Sequence, residues 1–139
     1  MVVDEFYFHK KRGLPRWERI GHPLDTLSVF LCLLVPATLS PTPGHLQLYF
    51  VLAAFSCLFV TKDEFVHGEL CTAGENWLHA LLYLFHPLCF IAAAMIWRSG
   101  EHVGFLQGQV VVIGVFMIYQ IVYWNFLWKP RLTPKPTTT

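Results

Sequence analysis

Charged residues leave three long stretches of this chain untouched. Thr26 to Thr61, Asn76 to Trp97 and His102 to Trp128 contain no Asp, Glu, Lys or Arg and are filled mostly with Leu, Val, Ile, Phe and Ala. A helix needs about 20 mostly apolar residues to cross a hydrocarbon layer roughly 30 Å thick. The two shorter stretches each hold one such helix, and the longest holds two. It divides at Ser40-Pro41-Thr42-Pro43-Gly44, where prolines without a backbone N–H end one helix before the next begins. The pattern predicts four spans, over 24–39, 46–66, 77–97 and 104–128.

Composition agrees with this reading. The chain is 55% hydrophobic and 14% charged, against roughly 25% charged in ordinary globular domains. That excludes a small soluble enzyme, a nucleic-acid binder and a disordered tail. The first apolar run follows basic residues as a secretory signal would, but the stretch ahead of it is long for the basic part of such a signal, so a retained helix is expected.

Charge then sets orientation. Every Lys and Arg except Arg98 lies before the first span, in the second loop or in the tail, and positive flanks face the cytoplasm. The expected fold is all-α, an integral membrane four-helix bundle with both termini cytoplasmic, in a multi-pass cell-membrane protein (the inner membrane in a bacterium). Its expected parts are an interfacial segment over 1–23, a transmembrane domain over 24–128 and a tail over 129–139. Trp17, Trp77, Trp124 and Trp128 form the cytoplasmic aromatic belt, with Trp97 opposite. Phe6, Tyr7, Phe8 and Trp17, mixed with five basic residues, make the first segment an interfacial anchor, or alternatively a lid over a polar pocket. Cys32, Cys57, Cys71 and Cys89 form no CxxC pair and read as small packing residues.

The polar residues near the spans carry the candidate chemistry, because ionisable groups inside a membrane are costly and usually functional. Most lie between Lys62 and His86. Glu64, His67 and Cys71 share one face if the second span continues as a helix. Thr72 followed by Glu75 is a capping-box pattern that starts the third span near Ala73. On that span Glu75, His79 and His86 share a face. Asp25 stands at the same end of the first span, behind His22-Pro23, and Gln120 reaches a comparable depth on the fourth. The other end offers only residues that headgroups can solvate.

Acids and imidazoles gathered in this way suit a metal site at the cytoplasmic side, with Asp25, Glu64, His67, Glu75, His79 and His86 as candidate ligands. Bundle-type di-iron carboxylate proteins project Glu and Glu-x-x-His pairs inward from facing helices. Glu64-x-x-His67 resembles that spacing once, and Glu75-x-x-x-His79 is one residue longer. The expected cofactor is a divalent metal, iron first, with manganese or zinc as alternatives. No catalytic residue is assigned. The expected activity is a non-haem di-iron oxidoreductase, a hydroxylase or desaturase acting on a lipid-like substrate; metal-assisted hydrolysis is another use of the same site. Expected partners are membrane lipids and that substrate, with an oligomer or a larger membrane complex as a further possibility and no nucleic acid.

Other readings stay open. Glu75 and Asp25 serve equally as helix-capping acids, and neutral histidines can be satisfied structurally. The same residues fit a small ion or proton transporter, and helix contacts through Gly104 and Gly108 fit an accessory or assembly subunit. A bis-histidine haem site is less favoured, since only the third span carries deep histidines.

Overall fold

A computed structural model describes residues 3–63 and 72–128. Among the described residues there is no strand. Four long helices follow a short N-terminal one: α1 (Arg16–Thr38), α2 (Pro43–Phe59), α3 (Ala73–Ser99) and α4 (Val103–Val122). Each is long and apolar enough to cross a membrane, counting the short helical continuations of α2 and α4. The N-terminal helix has i→i+5 bonding over Asp4–His9 and continues over Lys10–Arg12, and the same wider winding extends α4 over Tyr123–Leu127.

α1 and α3 are longer than the expected spans because polar residues join their ends. α1 begins eight residues before the expected start, taking Glu18, His22 and Pro23 into the helix. α2 starts at Pro43 behind the Thr42 cap, whose hydroxyl accepts the His45 N–H at 3.3 Å, and passes into a 3₁₀ turn over Val60–Asp63. α3 starts at Ala73 as expected, with the Thr72 hydroxyl accepting the Glu75 N–H at 3.4 Å. Gly100 ends α3 with a positive φ of 71°, a conformation that a side chain would strain.

α1 is the central helix. Half of its most apolar window is buried, against 11% for the helix that includes α4. Gly114 lets α4 approach closely, since a Cβ there would stand 3.3 Å from the Phe30 ring. Meanwhile Phe50, Phe55, Leu58, Leu84, Phe85, Ile91, Met95, Val111 and Val115 point outward and uncovered. So much exposed apolar surface on every side is compatible with a multi-pass membrane protein, whose outer faces meet lipid.

The interior divides along its length. One end packs Cys32, Leu33, Val35, Tyr49, Ala53, Phe90, Ala93, Ala94, Trp97 and Leu106. Tyr49 donates to the Phe90 carbonyl at 2.6 Å and Trp97 to that of Leu39 at 2.7 Å, so the buried polar tips in this apolar half are satisfied. The other end buries Asp4, Glu5, His9, Glu18, Asp25, Thr26, Ser28, Ser56, Glu75, His79 and Gln120.

Candidate metal centre

The polar end is closed by the N-terminal helix. Gly13 turns the chain back toward α1 with φ +80°, and a Cβ there would lie 2.9 Å from the Trp128 ring, so both backbone and space call for glycine. Arg19 reinforces the turn, donating to the Leu14 carbonyl at 2.8 Å while its guanidinium lies 4.4 Å from the Trp128 ring centroid. Phe6 packs on Tyr119 of α4, with ring centroids 5.3 Å apart. Phe6 and Tyr7 remain exposed while Asp4, Glu5 and His9 are buried, so the helix turns aromatic residues outward and its acids and histidine inward.

That inward face completes a cluster. Asp4 reaches two histidines: Oδ1 lies 3.3 Å from His9 Nε2, and Oδ2 lies 3.3 Å from His79 Nε2 on α3. Asp4, His9 and His79 are all buried, and their ligand atoms lie within 4.8 Å of one another. His9, Glu18 and His22 form an overlapping triad on the same criterion. Within it Glu18 Oε2 is 3.9 Å from His22 Nε2, and the His9 and His22 rings stand 4.7 Å apart.

Asp4 Oδ1 and His9 Nε2 make no hydrogen bond among the described residues, despite their proximity. Buried polar atoms are nearly always bonded. A separation of 3.3 Å is also the edge of a tetrahedron drawn by ligands about 2.0 to 2.1 Å from a central ion. The contact is an ion pair when His9 is protonated, and its spacing also fits a metal cation in place of that proton.

The acids are held in the form a metal requires. Burial works against ionising Asp4, but the hydrogen bond from His79 and the attraction of His9, His79 and His22 outweigh it and bring the carboxyl down to about 2. Glu5 moves in the same direction, its burial outweighed by hydrogen bonds from His9, Trp124 and Gln120 and by attraction to His9.

A cavity of about 110 Å³ opens beside the cluster. Asp4, Glu5, His9, His22, Asp25, His79, His86 and Gln120 form its polar wall, and Val29, Val60, Leu82 and Phe116 its apolar one. His79 and His86 are seven residues apart on one face of α3, about 10 Å along the axis.

The residues singled out from sequence have different surroundings. His79 is in the cluster. His86 lines the cavity, with Nε2 3.0 Å from the Ser56 hydroxyl, which is 2.8 Å from that of Ser28. Asp25 lines the cavity too, but both its oxygens lie 2.6 Å from Lys62 Nζ, and it belongs to neither triad. Glu75 is buried, in neither triad, with its backbone N–H on the Thr72 cap. Glu64, His67 and Cys71 lie outside the described residues.

Sequence reasoning passed over Asp4, Glu5, His9, Glu18 and His22. Glu18 and His22 were signalled, because Glu18-x-x-x-His22 repeats the spacing of Glu75-x-x-x-His79. Four apolar helices and this carboxylate and imidazole cluster are compatible with a membrane metal-binding protein. Comparison with protein-family models, curated proteins and solved structures finds no match for this chain.

Proposed function

We propose that this chain is a multi-pass membrane metalloprotein, with both termini cytoplasmic, that holds a divalent metal through Asp4, His9 and His79. The observation that carries the reading is the pair Asp4 Oδ1 and His9 Nε2, buried and 3.3 Å apart without a hydrogen bond. Glu18 and His22 adjoin this position and offer donors for a second ion. Carboxylate and imidazole suit iron, manganese or zinc, and iron is the assignment we favour.

The adjoining cavity supports an oxidoreductase acting on a lipid-like substrate. Its apolar wall suits a hydrocarbon segment, and about 110 Å³ is somewhat less than the roughly 150 Å³ that accepts benzene. A cavity of that size takes the reacting part of a chain, with the remainder lying in the bilayer. Iron would supply oxygen-dependent redox chemistry. The protein would hold the metal and keep the reacting segment beside it, away from bulk water.

A proton or ion relay is the second reading, favoured by the chain His86, Ser56, Ser28. That chain ends where Ser28 donates to the Asp25 carbonyl at 2.7 Å, a group that passes no proton on. The metal reading is therefore preferred.

Elemental analysis of the full chain purified in mild detergent tests it. Near-stoichiometric iron, manganese or zinc in the wild type, lost when His9 and His79 are both replaced by Ala, is the expected result. Metal content that is negligible, or indifferent to those replacements, contradicts the proposal.

A further inference from the structure

Glu5 stands next to the cluster but belongs to neither triad. Its side chain is 2% exposed and collects three donors. Oε2 lies 3.4 Å from His9 Nδ1 and 3.5 Å from Gln120 Nε2, and Oε1 accepts a hydrogen bond from Trp124 Nε1. Gln120 is fixed in turn, its Oε1 accepting from the Thr26 hydroxyl at 2.7 Å. The N-terminal helix, α4 and the extension of α4 thus meet on one carboxylate, and α1 is joined to it through Gln120.

The proton positions follow from chemistry. An ionised carboxylate only accepts, so each group facing Glu5 must donate. Gln120 therefore turns its NH₂ to Glu5 and its oxygen to Thr26. His9 likewise carries its proton on Nδ1. In neutral imidazole this leaves the lone pair on Nε2, the atom 3.3 Å from Asp4 Oδ1. Two acceptors would then face each other, and the cation that relieves them is either a proton on Nε2 donated to Asp4 or, in its place, a metal ion bound by both, with Nδ1–H kept on Glu5 in either case. Carboxylates that orient metal-binding histidines from behind commonly act in this way.

We infer that Glu5 is the positioning residue of the metal centre: anchored by Gln120 and Trp124, it holds His9 as the Nδ1–H tautomer and so presents Nε2 to the metal. The inference rests on the proposed metal site, yet part of it is measurable without metal. Its consequence is that the first turn of the N-terminal helix supplies a ligand, Asp4, and the orienting group for a second.

The test uses the full chain in detergent with ¹⁵N-labelled histidine, and Co²⁺ alone as the probe. In metal-free wild type, His9 is expected to carry a proton on Nδ1, with that preference lost in Glu5→Gln. Co²⁺ affinity should fall about 10- to 100-fold in Glu5→Gln, and binding should be abolished in His9→Ala. Trp124→Phe, which removes one donor to Glu5 and leaves His9 intact, should weaken Co²⁺ by less than Glu5→Gln does. If wild-type His9 carries its proton on Nε2 and none on Nδ1, the inference is overturned whatever the variants do. Unchanged affinity and tautomer in Glu5→Gln also overturn it, while leaving the metal site standing. If wild type takes up no Co²⁺, the metal reading fails, and the tautomer alone judges the role of Glu5.

Discussion

Asp4 Oδ1 and His9 Nε2 lie 3.3 Å apart in the protein interior, and neither makes a hydrogen bond among the described residues. The two residues are five apart. In an α-helix, at about 100° per residue, that spacing puts side chains on different faces. The i→i+5 winding over Asp4–His9 brings them to the same side. A pattern search with helical period 3.6 has no means of pairing them.

The N-terminal helix should depend on the turn at Gly13. Gly13→Ala forces a side chain into positive φ, costing about 1 to 2 kcal/mol, and crowds Trp128. Limited proteolysis should cut the first dozen or so residues faster in this variant than in wild type, and added metal should slow the cleavage. Equal cleavage of the two proteins would show that the turn does not hold the helix in place.

The ion pair between Lys62 and Asp25 is a structural tie between α1 and the end of α2. Both side chains are largely shielded, 17% and 11% exposed. Lys62→Ala leaves the Asp25 charge without its nearest counter-ion, a loss of about 3 kcal/mol for a buried pair. Thermal unfolding in detergent should register it, and Asp25→Leu with Lys62→Leu should recover most of the stability. Metal content should not change in the double variant, since Asp25 belongs to neither triad. Loss of metal in that variant would place Asp25 among the ligands after all.

Proton order along α1, α2 and α3 is fixed at one end. Ser28 donates to a carbonyl, so it accepts from Ser56, and Ser56 in turn accepts from His86 Nε2. Histidine ¹⁵N spectra should find His86 as the Nε2–H tautomer, leaving Nδ1 as an acceptor, and Ser56→Ala should weaken that preference. An Nδ1–H tautomer in wild type contradicts the chain of donors.

Acid should release the N-terminal helix. Asp4 ionises at about 2 in the folded protein against an ordinary 3.8, so its pKa is depressed by folding. The stability it contributes is fully present above about 3.8 and is lost as pH falls toward 2. Near-ultraviolet circular dichroism of the buried Trp124 should follow that window in wild type. In Asp4→Asn the step should be missing. A wild-type signal that is flat down to pH 2 would count against the Asp4 contacts.

The fold was more legible in the sequence than the site. The charge-free windows located all four helices, and the Thr72 cap located the start of α3, because both signals are local. Gln120, His79 and His86 were placed at similar depth from span position alone and do line one cavity. The two triads were hidden for two physical reasons. Asp4 and His9 need the wider winding and the Gly13 reversal, which together fold a basic, aromatic segment onto the bundle with its few acids inward. Glu18 and His22 precede the first apolar window, yet belong to α1 because the helix extends past Pro23. Their spacing on a face shared with Asp25 was readable, but the hydrophobic window drew the boundary too late.

The central claim is that a metal binds Asp4, His9 and His79. X-ray absorption of the metal-loaded protein examines those bonds directly. The expected spectrum has nitrogen and oxygen neighbours at about 2.0 to 2.2 Å, with outer-shell scattering from two or more imidazoles that diminishes in His79→Ala and again when His9 is also replaced. A metal surrounded by water oxygens alone, or an imidazole signal untouched by both replacements, would contradict the account.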